Sequence, residues 1–431
     1  MKDLYSRQEG VYIPSFFCMK IDSLSFDEDM SDRDLSLFVH EYIHFIQNIA
    51  TLYGLERTNS DFGILINMIN WIKGHKDSTI KVPLNETILN ELTLNNRNIS
   101  NLTWGDTNDV RDIDIIKVEN SPDFANTIDK YRTVESIVLT FRYKENGKED
   151  ICSFGARDVY EGMAYLIEQH ITNDYEKSSD IPYNTVFKVA KYIHPELVKD
   201  YRNVLVICDK ALMSSNPGAE FVEIVKWLAD NKYVPNVPRD LYILLDQYWE
   251  TYDVTERVYW LDNFKRQVET VRENMHQLLQ DDYFKDYHEW IDYILDFAIK
   301  LRSVQPMFLL DIVNNGNVRN NKYFQAFLEI AGCPLVENIK HEYFFISPKG
   351  FDSSCLVYFK VFHQIYDLLL NGNTQCSLMP WCNDCRNIVD VDISCHKCPW
   401  KHSEKNGLLC TFAGVWQHWG LNNVTIEHIH L

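Results

Sequence analysis

Two histidines and a glutamate at a fixed spacing are the residues of this chain best suited to chemistry. Residues 40–44 read His-Glu-Tyr-Ile-His, so His40 and His44 lie one turn apart on the same face of a helix. Two imidazoles in that arrangement can bind one metal ion, and Glu41 beside them can act as a general base. This H-E-x-x-H pattern is typical of zinc-dependent hydrolases.

The helix that must carry these residues has an unusual composition. Residues 37–46 contain no charged residue except Glu41, so we expect the helix to be buried nearly all round. Ser31, with Asp34 three residues later, predicts its N-cap, and Gly54 predicts its end. Buried polar side chains need partners, and a metal ion would satisfy all three. The alternative is a core helix whose histidines are only hydrogen-bonded.

A third metal ligand is expected, because catalytic zinc sites usually have three protein ligands and one open position. Residues 157–169 predict a second helix, in which Glu161 lies among apolar residues and beside the small Gly162. Alternatively, Glu161 is itself an ordinary carboxylate on the helix surface, close to Arg157 one turn earlier. Glu168 shares the face of Glu161 and is a candidate acceptor for the N–H of a ligand histidine. Three other residues remain candidates for the third ligand: Glu56, Glu168 and His170.

Together with the H-E-x-x-H helix, the segment Glu161-Gly162-Met163-Ala164-x-Leu166 resembles the Glu-Gly-Phe/Leu-Ala segment of gluzincin metallopeptidases. The resemblance covers two short segments. It implies a zincin-like fold, with Glu161 as third zinc ligand beside His40 and His44. The chain departs from that family in its spacing, since 117 positions separate His44 from Glu161. The Asn-Glu-x-x-Ser-Asp motif of the thermolysin-like members is also missing. Tyr160 precedes Glu161, and Tyr165 stands at the position of the aspartate of that motif.

The chemistry that these residues predict is metal-assisted hydrolysis of amide bonds. Zinc lowers the pKa of its bound water and polarises the scissile carbonyl, while Glu41 takes the water proton and passes it to the leaving amine. The donor that stabilises the oxyanion stays unassigned among Tyr183, Tyr192 and His194. The alternative function is a catalytically silent metal-binding protein that acts as a regulator or adaptor by binding other proteins.

A second candidate metal site lies near the C-terminus, where six of the 11 cysteines fall between residues 376 and 410. Two C-x-x-C pairs at this spacing predict a structural zinc site, formed by Cys382, Cys385, Cys395 and Cys398. An iron–sulfur cluster and redox disulfides are alternatives, and four further donors could exchange with these ligands: Cys376, Cys410, His396 and His402. The cysteines outside this cluster predict buried thiols: Cys18, Cys152, Cys208, Cys333 and Cys355.

Composition limits the remaining possibilities. The chain has 431 residues, 45% of them hydrophobic and 13% aromatic, and a formal net charge of −20. That charge argues against nucleic-acid binding, which depends on Lys and Arg neutralising phosphates. Residues 1–20 lack a signal-peptide pattern, and no apolar run is long enough to span a membrane. We expect a cytoplasmic protein with a protein or peptide substrate. The sequence does not predict an oligomeric state.

The predicted fold class is α+β and predominantly helical, with a zincin-like catalytic core. Residues 1–235 are expected to form that core, with a β-containing insertion near 76–155, followed by a helical domain at 236–372 and a cysteine-rich zinc-binding module at 373–431. A β-hairpin is predicted from residue 136 to residue 154, and an extended substrate could pair with its edge. Seven helical segments are predicted further on: 185–212, 218–231, 239–250, 255–280, 284–303, 321–332 and 353–371.

Overall fold

The chain forms a mainly helical α+β structure with three small β-sheets in the described residues, which confirms the predicted class. The computed structural model describes residues 10–23, 30–75, 79–106, 108–121, 134–172, 178–252, 260–384, 391–401 and 409–428. Nine of the described segments are strands: β1 (Gly10–Ile13), β2 (Cys18–Ile21), β3 (Thr79–Val82), β4 (Ile113–Ser121), β5 (Ser136–Tyr143), β6 (Glu149–Phe154), β7 (Cys333–Glu337), β8 (Tyr343–Ile346) and β9 (Thr425–His428).

The helices occupy most of the remaining described residues. They are α1 (Asp32–Ala50), α2 (Leu52–Gly74), α3 (Glu91–Trp104), α4 (Ala156–Ile171), α5 (Thr185–Ile193), α6 (Tyr201–Ala211), α7 (Pro217–Asp230), α8 (Pro238–Tyr252), α9 (Trp260–Leu278), α10 (Lys285–Val304), α11 (Phe308–Asn314), α12 (Lys322–Ala331), α13 (Leu356–Asn371), α14 (Met379–Asp384), α15 (Ser394–Lys397) and α16 (Thr411–His418). Of the described residues, no helix combines the length and apolar composition that crossing a bilayer requires.

The three sheets join parts of the chain that are far apart in sequence. The first has the strand order β1-β2-β7-β8, with β2 and β7 parallel, and the second pairs β3 with β9 in parallel. These pairings connect the ranges 1–235, 236–372 and 373–431, and one hydrophobic core contains residues from all three. The domain boundaries themselves stay a prediction.

The third sheet, β4-β5-β6, contains the predicted hairpin, in which β5 pairs antiparallel with β6. Strand β6 ends at Phe154, and α4 follows from Ala156 with Gly155 as its N-cap. The helix predicted over residues 157–169 is therefore present as α4. The predicted helix at 185–212 is instead divided into α5 and α6. Pro195 explains the break, because proline lacks an N–H and disfavours a helical conformation at the residue before it, here His194.

The start of α1 was predicted correctly, but its end was not. Ser31 caps the helix by accepting a hydrogen bond from the Asp34 backbone N–H at 3.0 Å. The helix ends at Ala50 rather than near Gly54, and Thr51 caps both this end and the start of α2. Gly54 lies inside α2, where a Cβ would come within 2.5 Å of the Asn48 carbonyl oxygen. This glycine therefore permits close contact between two helices and does not terminate one.

A half-buried histidine on α13, His363, predicts how stability depends on pH. The His363 ring packs 5.1 Å from the Phe16 ring, and burial, with help from Lys360, lowers the pKa of His363 from 6.5 to about 4. Between these values the unfolded chain binds a proton that the folded protein does not, so stability falls as the pH falls. We expect a loss of up to about 3 kcal/mol across this window, measured by urea unfolding, and a smaller loss in His363→Gln. An equal pH dependence in the two proteins would contradict the assignment.

Candidate metal centre

Helices α1 and α4 bring His40, His44 and Glu161 together. The Nε2 atoms of the two histidines are 3.2 Å apart, and Glu161 Oε2 lies 3.1 Å from His40 Nε2 and 3.4 Å from His44 Nε2. In the described part of the chain, this is the one group of His, Cys, Asp or Glu donors that lies close enough together to hold a metal ion. Two of its members are four residues apart on α1, and the third comes from a helix more than a hundred residues later.

The donor separations fit a single small cation. Zinc bonds to histidine nitrogen and carboxylate oxygen are about 2.0–2.2 Å long, and tetrahedral ligands at that distance lie about 3.3 Å from one another. The three observed separations, 3.1, 3.2 and 3.4 Å, agree with this value. Two imidazole nitrogens and one carboxylate oxygen also make a donor set that leaves one tetrahedral position for water or substrate.

The second nitrogen of each histidine ring already has a partner. His40 Nδ1 lies 2.9 Å from Glu168 Oε2, and His44 Nδ1 lies 2.7 Å from Gln47 Oε1. Both partners can accept a hydrogen bond, so each Nδ1 can carry a hydrogen and leave its Nε2 to bind a metal ion. Glu168 therefore has the supporting position considered for it from the sequence. The part played by Gln47 was missed, since a glutamine within a helix gives no signal of its own.

Two further contacts fix these supporting side chains. Ser36 donates a hydrogen bond to the other oxygen of Glu168 at 2.7 Å. Gln47 Nε2 donates to the Tyr160 carbonyl oxygen at 2.9 Å, which joins α1 to the residue directly before Glu161. The Tyr160 ring stacks on His44, with ring centres 5.3 Å apart. The orientation of both imidazoles thus depends on the packing of α4 against α1.

The electrostatic surroundings favour an anionic Glu161 and a less acidic Glu41. Burial would raise the pKa of Glu161, but His44 and His40 outweigh burial and hold that pKa well below its usual value. Burial would also lower the pKa of His40, yet its contacts with Glu161 and Glu168 raise it. For Glu41, burial is the largest effect, and its pKa is raised despite the two neighbouring histidines. A carboxylate held anionic beside two imidazoles suits a divalent cation.

Glu41 lies against the first strand rather than among the three donors. Its side chain is buried, and its carboxylate accepts a hydrogen bond from the Tyr12 backbone N–H. A Cβ on Gly10 would come within 2.7 Å of Glu41 Oε1, so a glycine is required for the strand to approach this closely. No signal in the sequence indicated that β1 would contact the candidate base.

A small cleft opens onto this group. Its walls are formed by Val11, Tyr12, Pro14, His40, Glu41, His44, Arg57, Trp104, Tyr160, Glu161 and Tyr183. The edge of the β5–β6 hairpin was predicted to pair with an extended substrate, but the hairpin contributes none of these described lining residues. Strand β1 contributes two of them, Val11 and Tyr12. Of the three candidate oxyanion donors, Tyr183 lies in the cleft, with its ring 5.7 Å from the His40 ring. Tyr192 instead donates to the Ile116 carbonyl, and His194 Nε2 contacts the Tyr233 carbonyl.

The other residues considered as third ligand are engaged elsewhere. Glu56 accepts a hydrogen bond from Ser215 Oγ at 2.7 Å and lines a different cavity. His170 stacks on the Tyr201 ring, and its Nδ1 contacts the Leu166 carbonyl. Arg157, the possible surface partner of Glu161, is instead buried and paired with Asp109 at 2.7 Å. These contacts leave Glu161 as the carboxylate nearest both Nε2 atoms.

The cysteine cluster is described only in part, because Cys385 lies outside the described residues. Within them, the other three predicted ligands, Cys382, Cys395 and Cys398, do not form a group as compact as the one around His40. The Cys376 backbone N–H donates to the Cys395 carbonyl at 2.9 Å. Burial raises the pKa of Cys376 to about 11, with smaller contributions from nearby Cys410 and Cys395. Two of the spare donors, Cys376 and Cys410, therefore lie near the second C-x-x-C pair.

Several cysteines outside the cluster have the environment predicted for them. Cys18, Cys208, Cys333 and Cys355 are buried free thiols, and Cys152 is a half-buried one.

Comparisons with family models, with curated proteins and with solved structures find no match for this chain. The functional argument therefore depends on the geometry of the site.

Variants of the three donors test the metal site. We expect His44→Ala and Glu161→Gln to lose the bound metal, because each removes a donor, and Glu168→Gln to weaken metal binding about 10–100-fold by releasing the His40 ring. Elemental analysis and titration against a competing chelator measure both effects. His75→Ala is the matched control, since this exposed histidine contacts the Trp71 carbonyl and stacks on the Trp71 ring, and it is not one of the three donors. Full metal content in Glu161→Gln would exclude this ligand set.

A second set of variants tests the cysteine cluster. We expect Cys395→Ser to lose one zinc per chain while the metal bound by His40 and His44 remains. Comparing Cys382→Ser with Cys376→Ser then identifies the other ligands, because only a true ligand releases zinc when its thiolate is removed. Cys208→Ser is the control for a buried thiol outside the cluster. Unchanged zinc content in Cys395→Ser would rule out the predicted zinc module.

Proposed function

We propose that this protein is a cytoplasmic zinc-dependent peptidase with a zincin-like catalytic core, which hydrolyses amide bonds in protein or peptide substrates. The observation that carries the proposal is the convergence of His40 Nε2, His44 Nε2 and Glu161 Oε2 within 3.4 Å of one another, with Glu41 in the same cleft. A zinc ion held there would polarise a carbonyl group and acidify a water molecule.

The position of Glu41 favours hydrolysis over other chemistry. Two histidines and one carboxylate also bind iron in nonhaem oxygenases, but those reactions do not require a carboxylate base beside the donors. Glu41 is buried, and the Tyr12 N–H orients its carboxylate. In the proposed reaction this carboxylate takes a proton from the attacking water and then donates it to the leaving amine.

Tyr183 is the residue that we assign to stabilise the oxyanion. It lines the cleft with the donors and Glu41, and burial keeps the pKa of its phenol well above the usual value, with Glu161 contributing in the same direction. The hydroxyl is therefore protonated at neutral pH and can donate a hydrogen bond to a developing negative charge. Neither Tyr192 nor His194 lines this cleft.

The first strand offers a way to hold an extended substrate. Strand β1 is the outer strand of the described sheet, and it pairs with β2 along one edge. Its Tyr12 N–H donates to Glu41, so this edge of β1 faces the proposed base. A peptide added to that edge would lie beside the cleft, with its backbone hydrogen-bonded to the strand. This replaces the hairpin as the proposed site of strand addition.

The cysteine cluster is proposed to hold a second, structural zinc ion. Its C-x-x-C pairs suit tetrahedral thiolate coordination, and the nearby Trp400 is buried against Trp416 of α16, with ring centres 5.7 Å apart. The buried free thiols elsewhere in the chain suit a reducing compartment, which supports the cytoplasmic location that we propose.

Substitution of the proposed base separates catalysis from metal binding. We expect Glu41→Gln to keep its metal, because Glu41 is not one of the three donors, and to lose amide hydrolysis by about 10²–10⁴-fold. Incubation of the zinc-loaded protein with a denatured cell extract, followed by sequencing of new peptide N-termini, measures the activity. Gly10→Ala is a second variant, since its Cβ would displace the Glu41 carboxylate without touching a ligand.

Two results would contradict the proposal. Equal cleavage by the wild type and Glu41→Gln would assign the activity to something other than this base. No cleavage by a wild type that carries its metal would instead favour the silent regulator or adaptor, and capture of binding partners by the wild type would then be the next measurement.

A further inference from the structure

A second cavity, of about 210 Å³, lies beside the cleft that holds the proposed catalytic group. This volume is several times the share of one water molecule in the liquid, about 30 Å³. The walls of the cavity come from α2, α3, α9 and the segment before α7. Ile99 is the one aliphatic residue among the described residues that line it, so the cavity suits a polar ligand better than an apolar one.

Two consecutive residues of α3 show how the cavity and the cleft are related. Thr103 lines the cavity, and Trp104, the last residue of this helix, lines the cleft. Arg57 lies in the walls of both, and its guanidinium carbon is 4.2 Å from the centre of the Trp104 ring. The two spaces are therefore adjacent, with the Arg57 side chain between them.

Tyr53 places the cavity close to the proposed metal donors. Its ring lies 6.4 Å from the Tyr160 ring, which in turn stacks on His44. The Tyr53 hydroxyl is buried and makes no hydrogen bond of normal geometry with the described residues. Burial raises the pKa of Tyr53, and the nearby Thr103 and Ser100 are among the groups that oppose this rise. The phenol thus stays protonated at neutral pH and can donate to a ligand in the cavity.

Three other side chains in the lining have hydrogen-bonding groups that the protein leaves unused. Ser60 on α2, Asn96 on α3 and Gln267 on α9 are half-buried, and none of their side chains is hydrogen-bonded to a described residue. The amides of Asn96 and Gln267 each offer donors and an acceptor. A ligand group that also combines a donor with an acceptor would satisfy both, and a carboxamide is the neutral group that does so.

The charged residues of the lining already have partners. Glu56 accepts a hydrogen bond from Ser215 Oγ at 2.7 Å. Burial raises the pKa of Asp61, and the positive charge of Arg57 opposes this rise, so Arg57 already acts on a buried carboxylate. A charged ligand group would lose its water and compete with these contacts, which is costly for an ion. The cavity therefore favours a neutral polar group.

We infer that this cavity binds a neutral carboxamide and thereby selects substrates with Gln or Asn beside the bond that is cleaved. The inference rests on the proposed peptidase function and names its substrate class. An apolar side chain in the same place would leave the Tyr53 hydroxyl and the amides of Asn96 and Gln267 without partners, which costs binding free energy. Free glutamine carries the same carboxamide and is the other source of the ligand, for which the cavity would be an effector site beside the cleft.

The test uses zinc-loaded full-length protein and peptides built on one cleaved sequence. A single Gln is placed at each position on either side of the scissile bond, and Met or Glu replaces it for comparison. Met has a similar shape without the amide, and Glu adds a charge. We expect the wild type to prefer Gln at one position at least about tenfold in kcat/KM over both. Asn96→Leu and Gln267→Met should each lower this ratio, because each removes an amide with little change in volume, and the double variant should bring it close to one.

Two controls separate this inference from the function on which it rests. Asn98→Leu changes an exposed asparagine of the same helix that does not line the cavity, and it should keep the wild-type ratio. Binding of the same peptides to metal-loaded Glu41→Gln, followed by fluorescence anisotropy, measures the preference without turnover. A Gln preference in binding, without cleavage by the wild type, would overturn the peptidase function and support the cavity as a carboxamide site.

A thermal-unfolding series with free glutamine distinguishes the two sources of the carboxamide. If a Gln side chain of the substrate is the ligand, the peptides show the preference and free glutamine leaves the melting temperature unchanged. If free glutamine is the ligand, it raises the melting temperature of the wild type but not of Asn96→Leu, and the peptides show no preference. Either result supports the cavity as the carboxamide site.

Other outcomes would overturn the role of the cavity alone. One is equal binding and cleavage of the Gln, Met and Glu peptides together with no effect of free glutamine. The other is a Gln preference that survives in Asn96→Leu/Gln267→Met. Thermal unfolding and metal content of each variant show whether the fold is intact. If Asn96→Leu fails to fold, the ratio in Gln267→Met decides, since the two residues lie on different helices.

Discussion

The structure of the site depends on one constraint: α1 buries three polar side chains within an otherwise apolar stretch, residues 37–46, and each of them needs a partner. His40, Glu41 and His44 are all less than a tenth exposed. Unpaired buried groups of this kind cost several kcal/mol. The two Nδ1 atoms find Glu168 and Gln47, the two Nε2 atoms converge on Glu161, and Glu41 accepts from β1. The surrounding elements are arranged around these contacts.

The second helix of the site follows from the same requirement. Glu161 and Glu168 are seven residues apart, so they lie on one face of α4 two turns apart, and both meet His40 from that face. Glu41, Glu161 and Glu168 thus place three carboxylates around two imidazoles, an arrangement whose negative charge a divalent cation would reduce. Gly162 lies where α4 contacts α5: a Cβ on this residue would come within 2.5 Å of Val186. This small residue therefore allows α4 to pack closely against α5.

Local signals in the sequence were sufficient for the helix of the site, its cap, the α4 helix and the β5–β6 hairpin, because each depends on neighbouring residues. The parts that were missed depend on distant ones. Gln47 matters because of the Tyr160 carbonyl, 113 positions away, and β2 finds its partner β7 more than three hundred residues later. Gly54 looked like a helix end because glycine often is one. Its real role, close contact with Asn48, is visible only once α1 and α2 are packed.

Asn48 explains why the candidate catalytic group and Arg57 form one unit. It is almost fully buried, and its Oδ1 accepts from the Tyr12 hydroxyl and the Ser15 N–H, both at 3.0 Å. Its Nδ2 donates to Thr58 Oγ1 at 2.7 Å, one residue after Arg57. One amide therefore joins the chain that orients Glu41, the helix that carries the histidines and the helix that carries Arg57. Because only Thr51 separates those two helices, the distance from the two histidines to Arg57 is set by a tight junction rather than by a loop.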